Sequence, residues 1–264
     1  MSLVNVAYAP TLTWAHPSLV DLEEQALVPM LGEEPVELGL KGNEPRFLEI
    51  LRSDPVYRNL FAAAFPGEAE TTLNNAVKAI AAFERSIISM RSPYDRYRWD
   101  GDGSALSPAA KRGELLFSSS EKAGCFQCHG GWNFTDVRFE NGKAGMSRTF
   151  VNTGVSTYEA PNRGLYEYTR RKEDVGKFRA PTLRNIAVTA PYMHDGSLPT
   201  LEAVIEHYAA GGRMPHANKT RTIRPFVLTA AEKQDLIEFL KSLTDEQLLR
   251  DPRWSDPWPA HKAH

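Results

Sequence analysis

The order of apolar and polar positions divides the chain into amphipathic segments joined by long irregular connections. From Glu70 to Ser89, the residues Leu73, Val77, Ile80, Phe83 and Ile87 recur at helical spacing, which predicts a helix with these five on one face. Ser107 followed by Pro108 is an N-cap with proline in the first turn, and it opens a predicted helix through Leu115, Leu116 and Phe117. Thr200 starts another, with Leu201, Val204, Ile205 and Tyr208 at i, i+3, i+4 and i+7 and a stop at Gly211-Gly212. Thr229 with Glu232 forms a capping box ahead of the stripe Leu236, Phe239, Leu240 and Leu243. A weaker pattern runs from Ser18 to Val28, where Pro29 is expected to end it. Between Trp132 and Thr182 no helical period is sustained; Val137 and Phe139 alternate before Asn141-Gly142, which suggests a short hairpin. So long a stretch suits a segment wrapped around a site. The tail after Thr244, with Pro252, Trp254, Pro257, Trp258 and Pro259, reads as an extended arm.

Composition narrows the class. The 31 Lys and Arg against 33 Asp and Glu leave a net charge of -2, which argues against a nucleic-acid binder working through a basic surface. No apolar run approaches the roughly 18–20 residues that span a bilayer. Residues 1–5 show no basic stretch leading into an apolar core, so no signal peptide is visible there. Two cysteines are too few for a disulfide framework.

Those two cysteines carry the chemistry. Cys125-Phe126-Gln127-Cys128-His129 is the C-x-x-C-H pattern of covalent haem c attachment. Two thiols three positions apart reach the two vinyl groups of one porphyrin, and the next residue offers an imidazole to the iron. A zinc site would need further soft ligands, and the chain has no third cysteine. A redox dithiol belongs in a βαβ setting that the flanks lack. One motif implies one covalent haem in this chain.

The run Leu106 to Phe117, the haem motif, and the run Phe178-Arg-Ala-Pro-Thr-Leu-Arg-Asn-Ile-Ala-Val-Thr-Ala-Pro-Tyr-Met-His-Asp-Gly-Ser-Leu198 resemble the C-terminal haem domain of bacterial di-haem cytochrome c peroxidases. His207-Tyr208 before Gly211-Gly212 is similar to their MauG-like branch, which oxidises protein side chains. Asn5-Val-Ala-Tyr8, Thr13-Trp14, Leu22-Glu-Glu-Gln-Ala-Leu-Val-Pro29 and Pro35-Val-Glu-Leu38 resemble the distal part of the family's N-terminal haem domain, in a form nearest to MbnH-like di-haem enzymes.

The resemblance implies an all-α, cytochrome c-like architecture with long irregular loops around the haem, plus the remainder of a second such domain. Residues 1–100 would be the distal part of the N-terminal haem domain, and residues 101–264 the C-terminal one. Family members carry two C-x-x-C-H motifs, so the chain is expected to be the C-terminal portion of a longer member, or else a mono-haem descendant. Gln25 and Glu37 match the family's distal-pocket glutamine and glutamate, where a carboxylate can shuttle a peroxide proton. Trp14 matches the tryptophan between the haems, suited to relaying an electron. Tyr208, 17 positions after Pro191, stands where the axial ligand is expected, with Met214, Met193, His194 and His207 as competitors. Thr189 and Pro191 match positions whose backbone carbonyls bind calcium. The implied activity is an oxidoreductase that reduces hydrogen peroxide with electrons from a small redox protein or a partner's side chain, located in the periplasm. The reading from another class is a non-catalytic mono-haem electron carrier.

Overall fold

The structure is a computed structural model and describes residues 1–68, 70–135, 139–140, 143–144, 150–159 and 162–257. It is mainly helical among these residues. In chain order the helices are α1 (Leu22–Leu31), α2 (Glu44–Ser53), α3 (Pro55–Ala64), α4 (Leu73–Ser86), α5 (Pro93–Trp99), α6 (Pro108–Ser118), α7 (Tyr166–Thr169), α8 (Leu201–Ala209), α9 (Ala230–Lys241) and α10 (Glu246–Arg250). Among the described residues, strand structure is confined to two antiparallel pairs: β1 (Phe139–Glu140) with β2 (Lys143–Ala144), and β3 (Phe150–Val151) with β4 (Phe178–Arg179). The expected hairpin is therefore present at its described ends, while Val137, Asn141 and Gly142 lie outside the described residues.

The caps read from sequence operate as hydrogen bonds. The Ala110 N–H donates to Ser107 Oγ, the Ala203 N–H to Thr200 Oγ1, and Thr229 and Glu232 cap each other reciprocally. α6 and α9 pack closely because Gly113 has no side chain. A Cβ built there would lie 2.0 Å from the Asp235 carbonyl oxygen and 2.7 Å from Phe239 Cβ. Beside this contact, Arg112 donates two hydrogen bonds to the Asp235 carboxylate, at 2.8 and 2.7 Å. The main core gathers Phe117, Phe134, Leu198, Ile205, Leu236, Phe239 and Leu243 from α6, α8, α9 and the loops between them. Two smaller clusters, around Leu12, Leu22 and Ala81 and around Ala26, Met30 and Val77, hold α1 against α4.

α5 belongs by packing to the main core. Tyr94 meets Phe134 and Phe239 edge-on, with ring centroids 5.1 and 5.7 Å away. Its neighbour Asp95 accepts two hydrogen bonds from Arg184, at 2.7 and 2.9 Å, and caps its own helix through Ser92. Arg184 Nε–H also donates to the Trp132 carbonyl. The side chains of this pair are 0% and 3% exposed.

Several expectations are corrected. α1 begins at Leu22, not Ser18, and runs through Pro29 to Leu31. Proline removes one N–H from the ladder, but the carbonyls of Pro29 and Met30 are taken up by the Leu38 and Leu40 N–H groups of the following loop. α4 ends at Ser86, and its buried face is rotated from the expected stripe. Ala76, Val77 and Ala81 face inward with Asn75 and Glu84, whereas Ile80 and Phe83 are exposed. Alanines let α1 approach closely, and that proximity outweighed side-chain size. The tail is partly helical instead of extended, with α10 followed by a 3-10 turn at Pro252–Trp254; Trp258 and Pro259 lie outside the described residues. α2, α3 and α5 were not anticipated.

Two stability predictions follow from these contacts. Asp95→Asn strands the Arg184 charge in the core, and should lower unfolding stability by about 3–5 kcal/mol. Burial pushes the Asp95 carboxyl up, but hydrogen bonds from Arg184 and Ser92 outweigh it and hold it below the usual carboxylate range. A depressed folded-state value stabilises above the unfolded value and is lost as pH falls through the folded one. The wild-type advantage over Asp95→Asn in denaturant unfolding should therefore shrink below about pH 4; a constant gap would refute the assignment. Gly113→Ala should cost about 1–3 kcal/mol by forcing α6 and α9 apart, read as a lower denaturation midpoint.

Candidate functional site

A cleft of about 1380 Å³, counting its open mouth, is cut into the main core. Its floor carries the Cys125–Gln127 turn, where Gly124 adopts a left-handed conformation (φ 59°) that swings the chain into the turn. The His129 N–H donates to the Cys125 carbonyl at 2.9 Å, so the two cysteines and the imidazole form one local unit on the cleft wall. No disulfide joins Cys125 and Cys128, and burial pushes the Cys125 thiol up to about 12.

The orientation of His129 is over-determined. Its Nδ1 lies 3.2 Å from the Phe134 carbonyl oxygen and 3.1 Å from that of Pro181. Carbonyls only accept, so Nδ1 carries the proton and Nε2 keeps its lone pair. Burial lowers the imidazole pKa, which keeps the ring neutral. Thr135 Oγ1 donates to the Ala180 carbonyl at 2.7 Å, and Thr182 Oγ1 to the Asn133 carbonyl at 2.6 Å, so the two carbonyl-bearing loops are cross-tied. This is the arrangement by which proteins present an imidazole to a metal.

Of the five competing sixth-ligand residues, the cleft wall includes Tyr208, Met193 and His194 but neither Met214 nor His207. His207 is buried with Nε2 at 3.0 Å from the Thr153 carbonyl oxygen. Met214 is partly exposed beyond the helix, its N–H bonded to the Gly154 carbonyl. His194 stacks on Phe178 with centroids 3.6 Å apart. Tyr208 stands on the inward stripe of α8, where burial pushes its hydroxyl above the ordinary phenol range. The donor set thus fits a haem c: paired cysteines on one turn, a neutral imidazole with a lone pair to offer, and a phenol, all around an apolar cleft.

Comparisons with known proteins give the family. Residues 1–104 match the family model for di-haem cytochrome c peroxidase, and residues 177–209 match one for RoxA-like, cytochrome c-like proteins. Cytochrome-c peroxidase IdrP1 of Pseudomonas sp. is 38% identical over 286 residues, which span 98% of this chain and 72% of that protein. The methylamine utilization protein MauG of Methylorubrum extorquens is 32% identical over 246 residues, 92% of this chain and 64% of that protein.

The chain belongs to the di-haem cytochrome c peroxidase and MauG family.

It is thus an oxidoreductase of the peroxidase type, and its fold is that of the family's helical haem domains. A crystal structure of a MauG-like protein associated with microbial copper homeostasis superposes with a TM-score of 0.90 at 43% identity, covering 98% of this chain and 78% of that one. The other family-derived residues are distributed unevenly around the cleft. Trp14 lines it, delivered by the N-terminal segment, with its carbonyl accepting from the Arg179 N–H at 2.8 Å. Gln25 is half-buried on α1 and Glu37 is exposed in the loop folded back on that helix; neither lines the cleft. Thr189 and Pro191 are exposed on the loop before α8. Among the described residues no cluster of three or more His, Cys, Asp or Glu side chains could hold a metal ion, and no helix is long and apolar enough to cross a membrane.

Sequence reasoning did not single out Arg179, which lies on the cleft wall between Phe178 and Ala180. The available signal was a cation inside an otherwise apolar run, Val175 to Pro181 apart from Lys177.

Proposed function

We propose that this chain holds one haem c through Cys125 and Cys128, with His129 and Tyr208 facing the iron, and serves a peroxidase reaction in which hydrogen peroxide is the oxidant. What supports the reading is the His129 geometry: a proton fixed on Nδ1 by two carbonyls leaves Nε2 to a metal in a cleft that also carries both cysteines. The haem, when bound, supplies one-electron redox chemistry. The protein's part is to hold and insulate it. The apolar wall excludes water, and Tyr208 keeps its proton in that environment unless a cation faces its oxygen. A phenolate on ferric iron favours the oxidised and higher states, whereas a thioether would favour ferrous iron.

In this reading Trp14 would be the side chain placed to relay an electron towards a second haem, and Gln25 and Glu37 would bind peroxide and move its proton there. A positioned carboxylate there contributes about 10²–10⁴-fold. The Thr189 and Pro191 carbonyls are the oxygen donors proposed for a calcium ion. The electron donor is a small redox protein or a side chain of a partner protein, and the compartment is the periplasm, where covalent haem attachment is completed. The domain division at residues 100 and 101 is part of the same proposal, with α5 packed across it onto the main core through Tyr94 and Asp95.

Expressed with cytochrome c maturation, the protein should retain its haem through acid–acetone extraction, and Cys125→Ser with Cys128→Ser should release it; free extraction from the wild type would end the reading. Tyr208→Phe should move the ferric spectrum from low-spin towards high-spin, while Met214→Leu leaves it nearly unaltered. The reverse pattern would place Met214 on the iron and favour a simple electron carrier.

A further inference from the structure

Arg179 is 8% exposed and lies on the cleft wall. Its Nε–H donates to the Thr13 carbonyl at 2.9 Å, its backbone N–H to the Trp14 carbonyl, and its Nη2 contacts Met1 Sδ. No carboxylate among the described residues pairs with it, and Nη1 has no acceptor among them. Burial without a charged partner pulls its pKa down to about 10. Arg184, the other buried arginine among the described residues, has Asp95 on two of its nitrogens. Arg224 also borders the cleft but is exposed to water, which solvates it.

An unpaired cation in an apolar wall is costly unless an anion joins it. The site faces a cleft whose proposed occupant carries two carboxylates on an otherwise apolar disc. Guanidinium groups bind carboxylates through two parallel hydrogen bonds. Resting on the haem reading above, we infer that Arg179 pairs with a haem propionate and, through its bonds to Thr13 and Trp14, latches the N-terminal segment onto the loaded cleft. The same side chain would then set both the charge beside the cofactor and the position of the Trp14 indole.

The test uses the haem-loaded protein with Arg179→Gln and Arg179→Lys. Thioethers hold the haem independently of Arg179, so covalent haem content in all three proteins checks the haem reading separately. Removing the cation leaves the propionate charge uncompensated, which stabilises ferric iron. The midpoint potential of Arg179→Gln should therefore shift negative, and its resonance Raman propionate-bending band should move. Arg179→Lys should keep the charge and recover most of the potential but not the bidentate signature in the band. Limited proteolysis should cut the segment before α1 faster in Arg179→Gln than in the wild type. A haem-loaded Arg179→Gln protein with unchanged potential and unchanged Raman band overturns the proposal and leaves the haem reading standing. Absence of covalent haem in the wild type sinks that reading instead.

Discussion

The buried ion pair between Asp95 and Arg184 is the constraint on which the remaining geometry rests. Arg184 joins α5 to the loop after the haem motif, because it bonds the Asp95 carboxylate and the Trp132 carbonyl at once. Its chain neighbours Pro181 and Thr182 contribute a carbonyl to His129 and a hydroxyl to Asn133. On the far side, Asn185 accepts from the Asp245 N–H, and the Asp245 carboxylate takes the Met90 and Arg91 N–H groups. A polar network is therefore threaded through the apolar core, its bonds running between separate segments, with Asn185 Nδ2 the one buried group in it that meets no partner among the described residues. Buried networks of this kind are costly when half-made and rigid when complete. The rigidity is spent on one imidazole, which must not rotate.

The N-terminal segment is tied to the same network. Asn5, in a left-handed conformation, donates from Nδ2 to the Ser89 carbonyl and to Asn133 Oδ1, and accepts from the Ser89 N–H. Asn133 lies between the haem motif and Phe134, whose carbonyl holds His129. Two asparagines thus connect the first residues of the chain to the loop that orients the imidazole, and Arg179 makes a second connection through Thr13 and Trp14. The half of the chain around α1 and α4 is thus tied to the loop after the haem motif through Asn5 and to the cleft wall through Thr13 and Trp14.

Much of this was legible in the sequence where local chemistry decides the outcome. Ser107-Pro108, Thr200 and Thr229 with Glu232 mark helix starts by hydrogen bonds that need no distant partner, and the C-x-x-C-H motif places three site residues on one turn. Legibility failed where tertiary context overrode the pattern. Ile80 and Phe83 looked buried by period, yet α1 packs against alanines on the adjacent face of α4. Pro29 looked like a stop, yet the helix continues to Leu31, where the N–H groups of Leu38 and Leu40 in the following loop take up the Pro29 and Met30 carbonyls. α3 and α5 carried readable starts, Asp54-Pro55 and Ser92-Pro93 with Asp95, but lacked a long apolar stripe to draw attention to them. The Arg184–Asp95 pair, 89 positions apart, and the exposure of Arg179 to the cleft rather than to water could not be read from spacing at all.

The cleft and the core are not separate parts of this molecule. Phe117, Tyr192, Leu201, Ile205, Leu236 and Leu240 belong to the main hydrophobic core and also line the cleft. Their inner edges touch one another, and their outer edges define a slot that suits a flat apolar group. A ligand that buries its faces against these side chains adds to the same hydrophobic term that folds the domain, and anything bound only by the native state raises its stability by mass action. A covalent tether makes the effective concentration of that group independent of the solution. The polar exceptions on the wall then acquire a common logic. His129 presents a lone pair, Tyr208 a hydroxyl and Arg179 a positive charge, each costly to bury alone, and under the proposed haem reading each would meet a different part of the same group.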